Sequence, residues 1–397
     1  MHPSIQIPPA EFAERVQKLV AELQQAHLAG AVLFDNYYIL YYTGFAFIPT
    51  ERPVAFAVNA KGEQALFVPR LELEHAQAKT NVTLVDAYLE YPDIPHPMQK
   101  LKTLLTAMGI VGNIGVDTDG YPWIFGYQGP AVSELTGAKV TRLGKLIEAQ
   151  MAIKSQNELA LIRESCKWGN LAHRLLQKYT KVGATETAVS MRASQEATQA
   201  LLDTLGPLYR GLSMFSEGAS AGYRGQIGRN AAIPHALAMN ATFMAGDVLV
   251  TGAGCPLWGY NSELERTMII GAPTAEQRKF CGYAKEAQEI AFRQMRAGVK
   301  CSEVDKAVRT WFQKHDLQPY WKHHSGHAIG LRYHEGPFLD VGDDTVLQPG
   351  MVFTVEPGLY NRELGGFRHS DTVVVTADGV EFLTYYPRDL ESLTIGT

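Results

Sequence analysis

The chain has 397 residues, enough for two domains that each bury a core of their own. Apolar residues make up 46% and charged residues 19%, the balance of an ordinary globular enzyme. Lys and Arg number 36 against 41 Asp and Glu, and the net charge of -5 argues against a nucleic-acid or anionic-membrane partner.

The first residues show no basic stretch followed by an apolar run, and no segment approaches the ~18 uninterrupted apolar residues of a membrane span. A cytoplasmic location is therefore expected. Cys166, Cys255, Cys281 and Cys301 form no C-x-x-C pair and read as reduced core thiols. From Pro9 to Leu28 the pattern predicts an amphipathic helix, with Phe12, Val16, Leu19, Val20 and Leu23 on one stripe. Short apolar strands are predicted at 31–34 and 53–58. The turn Asn59-Ala60-Lys61-Gly62 then leads into 64–68, a hairpin signal. Further strands are predicted at 82–85 and 114–117, with a helical stretch from Met98 to Met108. Strands alternating with helices imply an α/β domain over residues 1–150.

The boundary falls within Leu143 to Ser155, and a second domain is expected over 151–397. It opens on two helical patterns, Asn157 to Tyr179 and Thr185 to Leu205. Strands and loops follow to Gly271, helices return at Thr274 to Arg296 and Ser302 to His315, and strands close the chain.

Three blocks in this second part carry chemistry-bearing residues. The first runs from Gly246-Asp247 through Thr251 to Glu263-Leu264-Glu265-Arg266-Thr267. The second is Ser325-Gly326-His327-Ala328, followed by His334-Glu335-Gly336-Pro337. The third is Val355-Glu356-Pro357-Gly358, then Gly365-Gly366-Phe367-Arg368-His369-Ser370-Asp371-Thr372. In order and spacing these blocks resemble the pita-bread superfamily of methionine aminopeptidase, aminopeptidase P, prolidase and creatinase. The resemblance implies an α+β fold, with an N-terminal α/β creatinase/prolidase-like domain and a C-terminal pita-bread catalytic domain.

Peptidases of that superfamily hold two metal ions through Asp, Asp, His, Glu and Glu. The corresponding positions here read Thr251, Glu263, His327, Glu356 and Ser370. Two hard dications need several anionic oxygens, and Thr and Ser are neutral. The expectation from this count is that the dinuclear centre is lost and that no metal or other cofactor is used.

The run Glu263-Leu264-Glu265-Arg266-Thr267 resembles the Ala-Leu-Glu-Arg-Thr of creatinase, which works without metal. That likeness implies His235, Glu265 and Glu356 as catalytic residues. His235 would shuttle a proton, and the two carboxylates would orient a nitrogen-bearing group. Tyr260, Glu263, His327, His334 and Ser370 are expected to bind substrate. Arg52, in Glu51-Arg52-Pro53, resembles the creatinase arginine that clamps a substrate carboxylate across a homodimer interface.

The function expected on this basis is metal-independent hydrolysis of an amide, amidine or guanidine C–N bond in a small carboxylate-bearing molecule, as in creatinase or ectoine hydrolases. The alternative is an Xaa-Pro dipeptidase or aminopeptidase P-like metallopeptidase. There Glu263, His327 and Glu356 would supply three ligands to a single metal with one open position. A third possibility, a non-catalytic binding protein on the same scaffold, fits less well, because such relatives carry long charged extensions. Ser370 and Cys255 as nucleophiles have no supporting motif and read as packing residues.

Overall fold

The computed structural model describes residues 5–214 and 216–397. Its backbone divides into two compact units, one over Ile7–Gln150 and one over Met151–Thr397, the latter also taking Ile5 and Gln6. No helix among the described residues is long and apolar enough to cross a membrane.

The first unit opens on the helix Pro9–Gln25, whose leading proline sits where its missing N–H has no intrahelical partner to lose. Val16, Leu19 and Leu23 are its buried stripe. It stops short of Leu28 because His27 turns into the left-handed region, at φ 53. A six-stranded sheet follows, in the order Leu84–Tyr88, Gln64–Pro69, Ala55–Asn59, Gly30–Leu33, Asn113–Val116, Lys139–Arg142. The inner hairpin is antiparallel, and the outer pairs are parallel through helical crossovers. Val32, Ala57, Phe67, Leu101 and Ile114 belong to one buried core.

The helix Asn36–Thr43 has no counterpart in the sequence expectation. Asp35 caps it, accepting from the backbone N–H of Tyr37 at 2.9 Å and Tyr38 at 3.1 Å, and Gly44 ends it at φ 73. Six of its eight residues are buried, so it has no polar face and shows no 3.6-residue period to detect.

The second unit opens on the helix Gln156–Tyr179. Ser155 Oγ accepts from Glu158 N at 3.1 Å while Glu158 Oε2 accepts from Ser155 N at 2.7 Å. This reciprocal cap satisfies two orphan donors. Thr274 and Gln277 cap the helix Ala275–Gln294 in the same way. The main sheet runs Glu335–Leu339, Gly326–Ala328, Val352–Val355, Ser370–Val375, Leu264–Glu265, Gly252–Gly254, Ser220–Gly222, with Val380–Phe382 hairpinned on Ser370–Val375. A three-stranded sheet joins Val248–Val250, Thr267–Ile270 and Thr394–Ile395. The helices Ala275–Gln294 and Cys301–Lys314 cover the strands through Phe280, Ala284, Val304, Val308 and Phe353.

Buried ion pairs fasten this unit, two of them away from the cluster of Glu263, His327 and Glu356. Lys154 Nζ meets Glu335 Oε2 at 2.9 Å, and Arg266 Nη2 meets Asp371 Oδ1 at 2.7 Å. The first ties the entry of the unit to the segment just after His334.

Candidate active site

Three neighbouring strand registers converge on one spot. Leu264–Glu265 pairs with Ser370–Val375 so that Glu265 faces Ser370, and Glu263 is the residue just before that strand. On the other side of Ser370–Val375, Val355 pairs with Asp371, and Glu356 is the next residue. Beyond it, His327 pairs with Thr354. Gly326 permits that approach, because a Cβ there would fall 2.1 Å from Thr354 O.

Donor atoms of Glu263, His327 and Glu356 all lie within 4.8 Å of one another. His327 is fully buried. Its Nδ1 faces Ala328 O at 3.0 Å, leaving Nε2 toward Glu356 Oε1 at 3.3 Å. A ring proton on Nδ1 bonded to a carbonyl is the arrangement that orients an imidazole Nε2 as a ligand.

Burial pulls the His327 pKa down, but the hydrogen bond to Glu356 and the charges of Glu356 and Glu263 outweigh it and raise it to about 9. Burial, then the charges of Glu356 and Glu265, push Glu263 up to about 7. Burial also acts against ionised Glu356, yet His327 and Arg368 keep its carboxyl well below the usual range. The cluster is thus a buried concentration of negative charge that stabilises a cation at Nε2.

Among the described residues this donor set fits one divalent ion. Ser370 Oγ donates to Glu263 Oε1 at 2.8 Å, so it orients that carboxylate and adds no charge. Thr251 faces elsewhere: its hydroxyl meets His173 Nε2 at 2.7 Å and Arg266 N and O at 3.0 Å each.

Glu265 has other partners than a substrate nitrogen. Arg368 Nε donates to its Oε2 at 2.5 Å, Arg368 Nη2 to its Oε1 at 2.8 Å, and Arg224 Nη2 to the same Oε1 at 2.5 Å. Both oxygens of Glu265, expected to hold the nitrogen-bearing end of a substrate, accept from guanidinium groups of the chain itself. Arg368 also lies 3.7 Å from Glu356 Oε2 and donates to Tyr360 OH at 2.8 Å. Sequence reasoning gave Arg368 and Arg224 no role. Arg368 was visible as the residue two before Ser370, but its partner is 103 positions away.

His334 lies with its ring on that of His327, centroids 3.8 Å apart and planes 17° off parallel. Burial and then the charge of His327 lower its pKa to about 4, so it is a neutral donor or acceptor at the pocket edge. His235 is exposed on the turn after Pro234 and is near enough to His334 to act on its titration.

Tyr260 is buried and donates to Glu158 Oε1 at 2.8 Å, which places its hydroxyl at the cap of the helix Gln156–Tyr179. His369 is buried away from the donor cluster, in a cleft with Thr267, Lys285 and Arg388. Cys255 is buried, and burial pushes its thiol up, far from a nucleophile's range. In the first unit Arg52 pairs with Glu51 and, through Nε at 2.6 Å, with Glu90.

Residues 160–377 match the model of metallopeptidase family M24, and residues 15–153 match the creatinase/prolidase N-terminal domain. Along its length the chain is 25% identical over 384 residues to the Xaa-Pro dipeptidase of Pyrococcus horikoshii, covering 95% of this chain and 98% of that one. It is 26% identical over 383 residues to the Xaa-Pro dipeptidase of Pyrococcus furiosus, covering 95% and 99%. The dipeptidase PepE structure from Mycobacterium ulcerans superposes with a TM-score of 0.83 at 24% identity, over 99% of this chain and 100% of that one.

These matches overturn the expectation of a metal-independent, creatinase-like hydrolase that uses no metal. The family is one of metallopeptidases, and the two Pyrococcus relatives are Xaa-Pro dipeptidases. Three of the five positions compared with the family's ligands, Glu263, His327 and Glu356, do converge. With both of its domains accounted for, the chain belongs to metallopeptidase family M24 and is a hydrolase of C–N bonds.

Proposed function

We propose that the protein is an Xaa-Pro dipeptidase-like metallopeptidase that cleaves the C–N bond of short peptides with a single divalent ion on Glu263, His327 and Glu356. The observation that carries this reading is the convergence of those three donors within 4.8 Å, with His327 Nε2 turned toward Glu356. Three protein ligands and one open position are the pattern of a catalytic mononuclear site. When bound, such an ion supplies Lewis-acid polarisation of the scissile carbonyl.

The chain's own residues do the rest. Ser370 holds the Glu263 carboxylate in place, and Arg368 holds Glu356 and Glu265. His334, neutral and stacked on His327, donates to or accepts from the bound peptide. His235, on its exposed turn, hands a proton to the leaving nitrogen in this proposal.

A homodimer in the cytoplasm is part of the same proposal. Around Arg52 and Glu90 the first unit exposes Ile48, Leu89, Ile94, Trp123 and Ile124, with Ile94 at 95% and Trp123 at 80% of full exposure. Apolar surface of this kind marks an interaction face, and a second copy would carry Arg52 with it. The four buried, unpaired cysteines suit a reducing compartment.

The test is a panel of Xaa-Pro dipeptides, other dipeptides, and N-carbamoyl and amidino compounds, run before and after chelation. Cleavage of the dipeptides that is lost on chelation and restored by one added divalent metal is expected. Full activity in the presence of chelator, or cleavage confined to the non-peptide compounds, would contradict the reading. Light scattering should give twice the chain mass.

A further inference from the structure

The cleft that holds His369 has a volume of about 270 Å³ and lies between the helix Ala275–Gln294 and the segment 388–393. His369 follows Arg368, which reaches Glu265, and precedes Ser370, which reaches Glu263. Alternation along an extended chain sends its side chain to the opposite face. The helix lines the cleft with Arg278, Cys281, Gly282 and Lys285, which recur at helical spacing on one face. Gly282 keeps that face open, since a Cβ there would meet no atom within 4 Å.

His369 is 3% exposed. Thr267 N donates to its Nδ1 over a long 3.5 Å, and Nε2 has no hydrogen-bond partner among the described residues. Burial and then the charges of Arg266, Arg388 and Lys285 hold its pKa well below the usual histidine range, so the ring is neutral. A neutral imidazole that accepts at Nδ1 carries its proton on Nε2. The cleft therefore contains a buried N–H donor with no acceptor, a costly state that a ligand oxygen would relieve.

The walls add positive charge. Arg278 and Lys285 are exposed, and neither side chain has a hydrogen bond or ion pair among the described residues. Arg388 is held by Gln288 Oε1 at 3.1 Å and Glu289 Oε1 at 2.8 Å. Asp389 and Glu391 also line the cleft, so three cations stand against two carboxylates. Asp389 is engaged in its own turn, where Ser392 N donates to Oδ1 at 2.8 Å. Donors on several sides with an excess of positive charge suit a phosphate group, which carries about −1.5 to −2 and three acceptor oxygens. A carboxylate has less charge and fewer oxygens.

We propose that this cleft is a binding site for a phosphate group, free or in a small ester, whose oxygens accept from His369 Nε2, Lys285 and Arg278. The test is calorimetry on protein stripped of metal and dialysed free of chelator, so that phosphate meets no bound ion. Inorganic phosphate, phenyl phosphate and acetate are the probes. One phosphate per chain is expected, with acetate at least about 10-fold weaker, the loss of one charged hydrogen bond. Lys285→Met and Arg278→Gln should each weaken phosphate by about 10-fold. Lys279→Met, on the same helix but outside the cleft, should stay within about twofold of wild type. His369→Phe keeps a ring and removes the donor, and should weaken phosphate as well. The two exposed changes test the site even if that buried one unfolds the chain.

Phenyl phosphate binding more tightly than phosphate would assign the occupant to an ester, and the reverse to the free ion; either order supports the site. No binding of either at millimolar concentration would overturn the proposal. So would acetate binding as tightly as phosphate, affinity unchanged in Lys285→Met and Arg278→Gln, or an equal loss in Lys279→Met.

Discussion

Glu356→Gln is expected to lower kcat/KM by at least about 100-fold, because even residues that merely support a metal ligand are worth ~10- to 100-fold. The substitution keeps the shape of the side chain and removes its charge. Glu356 sits at the end of Val352–Val355, 3.3 Å from His327 Nε2, so the charge it loses is the one that holds a cation at that nitrogen. Bound metal should fall with activity. The fold should not suffer: compared in chelator, the variant and wild type should have similar thermal midpoints, since Arg368 keeps its two-pronged hold on Glu265. Relief of repulsion at Glu263, which Glu356 and Glu265 push upward together, works in the same direction. A variant that retains wild-type turnover would remove Glu356 from the chemistry.

Arg266→Met should be the most damaging single change to stability, lowering it by about 3–5 kcal/mol, the range for breaking a buried ion pair from one side. Arg266 is fully buried, and its guanidinium donates five times: to Asp371 Oδ1 at 2.7 Å, Glu265 O at 2.7 Å, Pro387 O at 2.8 Å, Ser370 O at 2.9 Å and Tyr386 O at 2.9 Å. Removing it leaves four carbonyls short of a donor and Asp371 without its cation. Asp371 retains Gln288 Nε2 at 3.0 Å and Thr384 Oγ1 at 2.9 Å, so adding Asp371→Asn should cost less than the two single changes together. Urea unfolding of the three variants in chelator measures this. Additive losses would mean that the pair contributes nothing as a pair.

Arg266 illustrates what a sequence yields and what it withholds. Its neighbours Glu263 and Glu265 were legible as a motif, but Asp371 lies 105 positions away, and only the register of Leu264 against Asp371 brings the two together. The helices Gln156–Tyr179 and Ala275–Gln294 were legible from their side-chain pattern, and the structure adds the caps, Ser155 with Glu158 and Thr274 with Gln277. The helix Asn36–Thr43 was not, since a segment buried on most sides carries no period. The strand Lys139–Arg142 was missed as well; it is a short edge strand with little apolar content, paired only with Asn113–Val116.

At the site, residue types singled out Thr251 and Ser370 as neutral but did not show where Glu263, His327 and Glu356 stand. A ligand count equates two losses with a dead centre. The geometry separates them: Thr251 has turned to His173, Ser370 supports Glu263, and Glu263, His327 and Glu356 remain within reach of one ion. The partners of Glu265 were hidden for a related reason. A carboxylate beside a pocket resembles a substrate anchor until the arginines that face it, Arg368 and Arg224, are placed.

One metal ion per chain is expected, and the most direct measurement is elemental analysis of protein equilibrated with a divalent metal and then dialysed free of excess. Wild type should retain one ion per chain, and Glu356→Gln should retain far less. Two ions per chain would show that Thr251 and Ser370 do not close the second position. None, in a protein that still cleaves its substrate, would rule out metal-dependent cleavage.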